Sequence, residues 1–153
     1  MFDRRQVLLL GAASLGAGLI ARPAFADAEN MTMDGLYNDT GADYSEEART
    51  FNGRDVTLKG FMAPPLKPNA KFFVLGTQPM AVCPFCDSSA TWPTNIVLIY
   101  TRDPLKLVNW DEPITVTGKL DLGVQTDQDT GFVSKVRMLD ATYRMLPSVS
   151  IGF

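Results

Sequence analysis

Apolar and polar residues alternate with a period of two over much of this chain. Val56, Leu58, Gly60 and Met62 alternate with Thr57, Lys59 and Phe61, the pattern of a half-buried strand. Pro64, Pro65 and Pro68 end it. A second strand is predicted over Lys71-Phe72-Phe73-Val74-Leu75, stopped by Gly76, and a third over Ile96-Val97-Leu98-Ile99-Tyr100. The third is apolar throughout, which predicts a central position buried on both faces. Ile114, Val116, Gly118, Leu120 and Leu122 alternate with Thr115, Thr117, Lys119 and Asp121 in the clearest strand of all. The last runs from Gly131-Phe132 through Val136 and Met138 towards Tyr143 or Met145, and the polar run 125–131 predicts a hairpin turn before it.

Five short strands, no long helix and irregular connections predict an all-β domain. The expected form is a small five-stranded OB-like Greek-key barrel over residues 51–153. An open β-sandwich is the structural alternative. Gly60 and Gly118, in the middle of strands, would allow sharp bends at barrel corners. Residues 27–50 are polar and acidic and read as an N-terminal arm, with one short helical turn around Tyr44 to Thr50. Met31 and Met33 lie in that arm, and their polar surroundings predict two exposed methionines.

Residues 1–26 have a different texture. Arg4 and Arg5 form a positive start, an apolar stretch runs from Val7 to Ile20, and Ala24-Phe25-Ala26 is a small-x-small cleavage signal. The three parts predict a secretory signal peptide cut after Ala26, and the paired arginines mark its twin-arginine form. The apolar stretch is shorter than the roughly 20 residues that a membrane span requires, and no later segment approaches that length. The expected location is the periplasm, with no membrane span after cleavage. Substrates of the twin-arginine route cross already folded, which permits a metal to be loaded before export.

Charge narrows the classes of partner. The chain has 14 Lys and Arg against 17 Asp and Glu, a net charge of −3. Removing the leader takes away Arg4, Arg5 and Arg22 against Asp3 alone, so the mature domain is more acidic still. Nucleic-acid binding rests on phosphate neutralisation, so no nucleic acid is expected as a partner. Histidine is absent, which removes the commonest general base and the commonest metal ligand. No P-loop or zinc-protease motif is present, no nucleophile–base pair can be assembled short of Cys–Lys or carboxylate chemistry, and no enzymatic activity is expected.

The segment 78–93 joins the second and third strands, and long loops within compact domains are disproportionately functional. It holds both cysteines of the chain, in Cys83-Pro84-Phe85-Cys86. One reading is a disulfide between Cys83 and Cys86, the default for two cysteines in an exported protein. It would close so small a loop that little stabilisation follows. A second is a metal site, since thiolates two residues apart can reach one ion from a tight turn. Asp87 follows directly and Met80 lies three residues before Cys83. Thiolate with carboxylate suits zinc, and thiolate with thioether suits copper. A closed zinc site needs four ligands, so the acidic arm or a second copy of the chain would have to contribute. A third is a thiol–disulfide oxidoreductase, but the redox C-x-x-C opens a helix in a βαβ setting, and here the setting is all-β. Trp92 and Trp110 read as core or rim aromatics. Asp127 and Asp129 hint at calcium by their spacing, without the distal Glu of the full loop.

The stretch Asn52-Gly53-Arg54-Asp55-Val56-Thr57-Leu58-Lys59-Gly60-Phe61-Met62-Ala63-Pro64 resembles the opening motif of a domain-of-unknown-function family of small periplasmic proteins, number 3299. The resemblance continues through Phe72 to Leu75, the cysteine loop and Ile114 to Leu120, and closes on Met138-Leu139-Asp140-Ala141-Thr142-Tyr143. It implies an OB-like barrel in the periplasm associated with ABC-type transport systems, some of them tied to metal acquisition. The expectation is a non-enzymatic accessory or binding protein that binds or senses zinc or copper through Cys83 and Cys86, with Asp87 and Met80 nearby, in support of a membrane transporter component. The alternatives are a thiol–disulfide oxidoreductase and a pure protein-interaction module with a structural disulfide and no cofactor.

Overall fold

In the computed structural model, residues 28–65, 71–81 and 92–146 are described. They form an all-β molecule with one short α-helix and a 3-10 turn over Asp34–Leu36. The strands are β1 (Glu29–Asn30), β2 (Asp55–Met62), β3 (Phe72–Gly76), β4 (Ile96–Thr101), β5 (Pro113–Thr126) and β6 (Val133–Met145), and the helix is α1 (Glu46–Phe51). Among the described residues no helix is long and apolar enough to cross a membrane. Each strand predicted from the alternation is present, and β5 and β6 are longer than the pattern suggests.

Alternation decides which way each strand faces. On β2, Val56, Leu58 and Met62 are buried, while Thr57, Lys59 and Phe61 face outwards to differing degrees. On β5, Ile114, Val116 and Leu120 turn to the same interior. β3 is buried along its whole length and β4 over Ile96 to Ile99, which agrees with their continuous apolar sequences.

One mixed sheet of six strands results. β2 pairs with β3, β3 with β4, β4 with β6 and β6 with β5, and β5 returns to pair with β2. The β4–β6 ladder is parallel and the other four are antiparallel. β1 adds a short parallel pair on β2. The inner face holds the main core, with Leu58, Phe73, Leu75, Val97, Ile99, Val116, Leu120 and Met138 all at most 1% exposed. Fully burying such a side chain contributes roughly 1.5–3 kcal/mol.

Two glycines make the bends possible. At Gly60 a β-carbon would lie 2.5 Å from the Gly76 carbonyl oxygen and 2.8 Å from the Met33 methyl. At Gly118 it would lie 2.8 Å from Ala141 Cβ and 2.9 Å from the Leu139 carbonyl oxygen. The β5–β6 register shifts between Thr117 and Lys119, opposite Asp140, whose φ is +52°. Such a bulge bends the strand and sharpens its twist. Arg102 holds Asp140 there through Nε–Oδ1 and Nη2–Oδ2 bonds of 2.9 and 2.7 Å.

The N-terminal arm departs from its polar reading. Met31 and Met33, expected to be exposed, are 6% and 3% exposed and belong to the main core together with Leu36 and Ala48. Polar neighbours disguised the apolar contact made by Met31, Met33 and Leu36. The Met31 amide donates to the Thr57 carbonyl (2.9 Å), which ties the arm to β2. α1 starts at Ser45, whose hydroxyl accepts from the Ala48 amide (2.9 Å) and donates to the Gly35 carbonyl (2.5 Å). The hydroxyl satisfies one of the helix's free N–H groups. Tyr44 reaches the β5–β6 hairpin, donating to the Lys135 carbonyl and accepting from the Gly123 amide.

Gly118→Ala should destabilise the fold by about 1–3 kcal/mol, since the new methyl meets short, fixed atoms that cannot yield. Chemical denaturation of this variant against the parent, with a fall in midpoint at unchanged slope, checks the assignment.

Candidate functional site

The cysteine-bearing segment is an excursion between two paired strands. β3 and β4 are in register up to Gly76 and Ile96, and the Thr77 amide then donates to the Asn95 carbonyl at 3.1 Å. This bond closes the base of residues 78–94. Cys83, Cys86 and Asp87 lie outside the described residues, as do Arg4, Arg5, Ala24 and Ala26 of the leader.

Both feet of the excursion are described, and both pack onto the sheet. Met80 covers Gly76, where a β-carbon would collide with the Met80 methyl. It joins a second apolar cluster of Ala63, Phe72, Val74, Ile96 and Leu98 on the outer face of β3 and β4. Trp92 joins the same cluster from the other foot. Its Nε1–H donates to Tyr37 Oη at 3.1 Å, and its ring stands edge-on to Phe132 with centroids 6.2 Å apart. Trp92 is thus a rim aromatic with its polar atom satisfied, as expected for a partly buried indole. Trp110 is 45% exposed. Burial raises the Tyr37 hydroxyl pKa, the bond from Trp92 lowers it in part, and Tyr44 adds a smaller upward push.

The tip of the β5–β6 hairpin closes over the same outer face. Phe132 packs on Phe72, which also meets Tyr100. The hairpin is bent at Gly123 (φ +118°), where the register shifts again. Arg137, 1% exposed, holds this bend. Its Nη1 donates to the Gly123 carbonyl (2.8 Å) and to the carbonyl and hydroxyl of Ser134, and its Nε donates to Asp121 Oδ2 (2.7 Å). Nη2 stands 2.7 Å from the same carboxylate oxygen as an ion-pair contact, without hydrogen-bond geometry. A buried cation persists only when so thoroughly paired.

Asp127 caps the turn. Its Oδ1 accepts from the Thr130 amide and hydroxyl, and its Oδ2 accepts from Tyr100 Oη at 2.7 Å. These donors engage both oxygens of the carboxylate whose spacing hints at calcium. Burial pushes the Asp127 carboxyl up, but the bonds from Thr130 and Tyr100 outweigh it and leave the group below the usual carboxylate range. Burial, the bond to Asp127 and the negative charge behind it push the Tyr100 hydroxyl far above the ordinary tyrosine value. Tyr100 therefore stays protonated and acts as a fixed donor. Among the described residues no group of three or more cysteine or carboxylate side chains is placed to hold a metal.

A polar hollow of about 430 Å³ lies beside the Trp92 foot, lined by Asp34, Tyr37, Asn38, Asp39 and Thr94 among others. The acidic arm thereby brings two carboxylates next to the C-terminal end of the excursion. The pattern of polarity in the arm gave no sign of this proximity, because Tyr37 and Trp92 are far apart in sequence and meet only in the folded chain.

No protein-family model matches the chain, and no curated protein matches it. Its fold is similar to the crystal structure of a DUF3299 family protein from Pseudomonas aeruginosa PAO1, with a TM-score of 0.50 and 12% identity, covering 78% of this chain and 96% of that one. At that identity the likeness is one of fold, and the neighbour bears the family designation that the strand motifs resemble.

Replacing Tyr100 with Phe should raise the Asp127 pKa, read from its carboxyl chemical shift during an acid titration. A carboxyl with a depressed folded pKa adds stability above its unfolded value near 3.9, lost as pH falls through the folded value. In Tyr100→Phe that loss should move to higher pH. An unchanged Asp127 titration would rule out the tyrosine bond as a cause.

Proposed function

We propose that the chain is an exported, non-enzymatic binding protein built on an OB-like Greek-key barrel, and that it binds a zinc or copper ion through Cys83 and Cys86. The ring of ladders β2–β3–β4–β6–β5–β2, with its parallel β4–β6 pair, supports the barrel reading. The observation that carries the functional reading is the anchoring of the two described feet of residues 78–94. Their base is closed by the Thr77–Asn95 bond, and Met80 and Trp92 pack onto an apolar face at either foot. By sequence, Cys83 lies three residues after Met80 and Cys86 six before Trp92, and flanks anchored in advance would lower the entropy lost on gathering ligands.

The two thiolates and the Asp87 carboxylate are the proposed primary donors, a set suited to zinc. Met80 would complete a softer set for copper, but it also packs over Gly76. Asp34 and Asp39, which line the hollow with Thr94 just after the Trp92 foot, are a described source of further carboxylates. By the resemblance of the strand motifs, the ion would be handled in support of an ABC-type transporter.

Metal content and free thiols of the mature protein, purified without chelator, test this reading together. We expect about one zinc or copper per chain, lost in Cys83→Ser and Cys86→Ser and retained in Met80→Leu if zinc is the ion. A reduced protein that takes up neither metal, and whose cysteines exchange readily with a model dithiol, would replace the metal reading with thiol–disulfide exchange.

The leader reading predicts a separate outcome. Changing Arg4 and Arg5 together to Lys should leave the full-length precursor in the cytoplasm, whereas the parent is recovered from the periplasm cut after Ala26. Export of the variant at the parent's level would refute the twin-arginine route.

A further inference from the structure

The outer face of β2, β5 and β6 carries a groove of about 740 Å³, lined among the described residues by β1, β2, β5, β6 and the residues flanking them. Register alone assembles it. Thr115 on β5 stands opposite Lys59 on β2 and opposite Arg144 on β6, and one step along, Thr117 stands opposite Thr57 and Thr142. Two rows cross three strands, one of cation–hydroxyl–cation and one of hydroxyls. Asn30 extends the hydroxyl row from β1.

Three features separate this face from an ordinary solvated sheet. Its described lining contains two cations and no carboxylate, although the chain as a whole is acidic. Among the described residues neither the Lys59 nor the Arg144 side chain has an ion-pair or hydrogen-bond partner. Most pointedly, Thr115 is only 7% exposed and its hydroxyl has no hydrogen-bond partner, while Thr57 and Thr117 hydroxyls bond each other at 2.9 Å. Buried hydroxyls are nearly always bonded, and an orphan calls for a partner that the described residues do not supply.

We infer that this groove binds a small hydroxylated anion, a sugar phosphate or sugar acid, with its charged group between Lys59 and Arg144 and in reach of the Thr115 hydroxyl. Charge-assisted bonds from Lys and Arg hold the oxyanion, and Arg can do so with two parallel bonds. The hydroxyls of Thr57, Thr117 and Thr142 and the amide of Asn30 both donate and accept, which matches the hydroxyls of a sugar. The groove volume falls within the range of about 300–1,000 Å³ usual for small-molecule sites. Neither Cys83 nor Cys86 enters into this inference.

Titration calorimetry on the mature protein tests the inference, with glucose 6-phosphate and glucuronate as probes and glucose as the neutral control. At least one anionic probe should bind, weakening as salt rises, and glucose should not; which of the two binds separates a phosphate from a carboxylate ligand. Thr115→Val should weaken binding about tenfold while leaving thermal stability equal or higher, because it removes an unsatisfied buried group. Lys59→Gln with Arg144→Gln should abolish binding and flatten the salt dependence. Absence of binding by both anions at millimolar concentration, equal binding of glucose, or binding untouched by these substitutions would overturn the inference.

Discussion

The ladder between β2 and β5 is the interaction on which the rest of this molecule depends. Without it the sheet would end in two open edges, each with unpaired backbone groups. With it, the inward faces of β2 and β5 turn towards β3, β4 and β6, and Val56, Leu58, Ile114 and Val116 lose all contact with water. The bend this requires is possible because Gly60 and Gly118 carry no side chain where backbone approaches backbone. The same ladder sets Lys59 beside Thr115 on the outside, so one set of backbone bonds builds both the core and the groove.

Around this ring the two outer faces have opposite character. Over β3 and β4 the face is apolar and covered by Met80, Trp92 and Phe132. The covering depends on a bend in the β5–β6 hairpin that a buried guanidinium holds: Arg137 bonds the Gly123 carbonyl and both polar groups of Ser134 while Asp121 balances its charge. Over β2, β5 and the end of β6 the face is lined by threonines and two cations and has no cover among the described residues. The covered apolar face carries Met80 and Trp92, the two described feet of the cysteine-bearing segment. An open face of hydroxyls and cations offers hydrogen bonds and charge to a solute. We assign the two proposed sites accordingly, one to a metal ion and the other to an organic anion.

Much of the architecture was legible in the chain, because period two, glycine at the bends and a continuous apolar run at Ile96–Tyr100 are local consequences of strand geometry. The alternation at Ile114 to Leu122 predicts which side of β5 is buried, and the structure agrees. Burial of the arm was not legible. Met31, Met33 and Leu36 are spaced too irregularly for either a helical or a strand pattern, and each is buried by contact with residues distant in sequence. The groove was equally hidden: Thr115 and Thr117 read as the wet side of a strand, and only their register against β2 and β6 puts Lys59 and Arg144 on either side of one hydroxyl.

By itself, then, the sequence determined the strands, their faces, the acidic character without histidine, and the presence of two thiols in one inter-strand segment, since each follows from neighbours along the chain. Tertiary structure alone decided that the sheet returns on itself, that Arg137 is sealed beneath a bend, that Tyr100 serves Asp127, and that the Thr115 hydroxyl lacks a partner among the described residues. Those are relations between residues on different strands. Their energies depend on which strand lies beside which, and this is settled only when the whole ring of ladders is made.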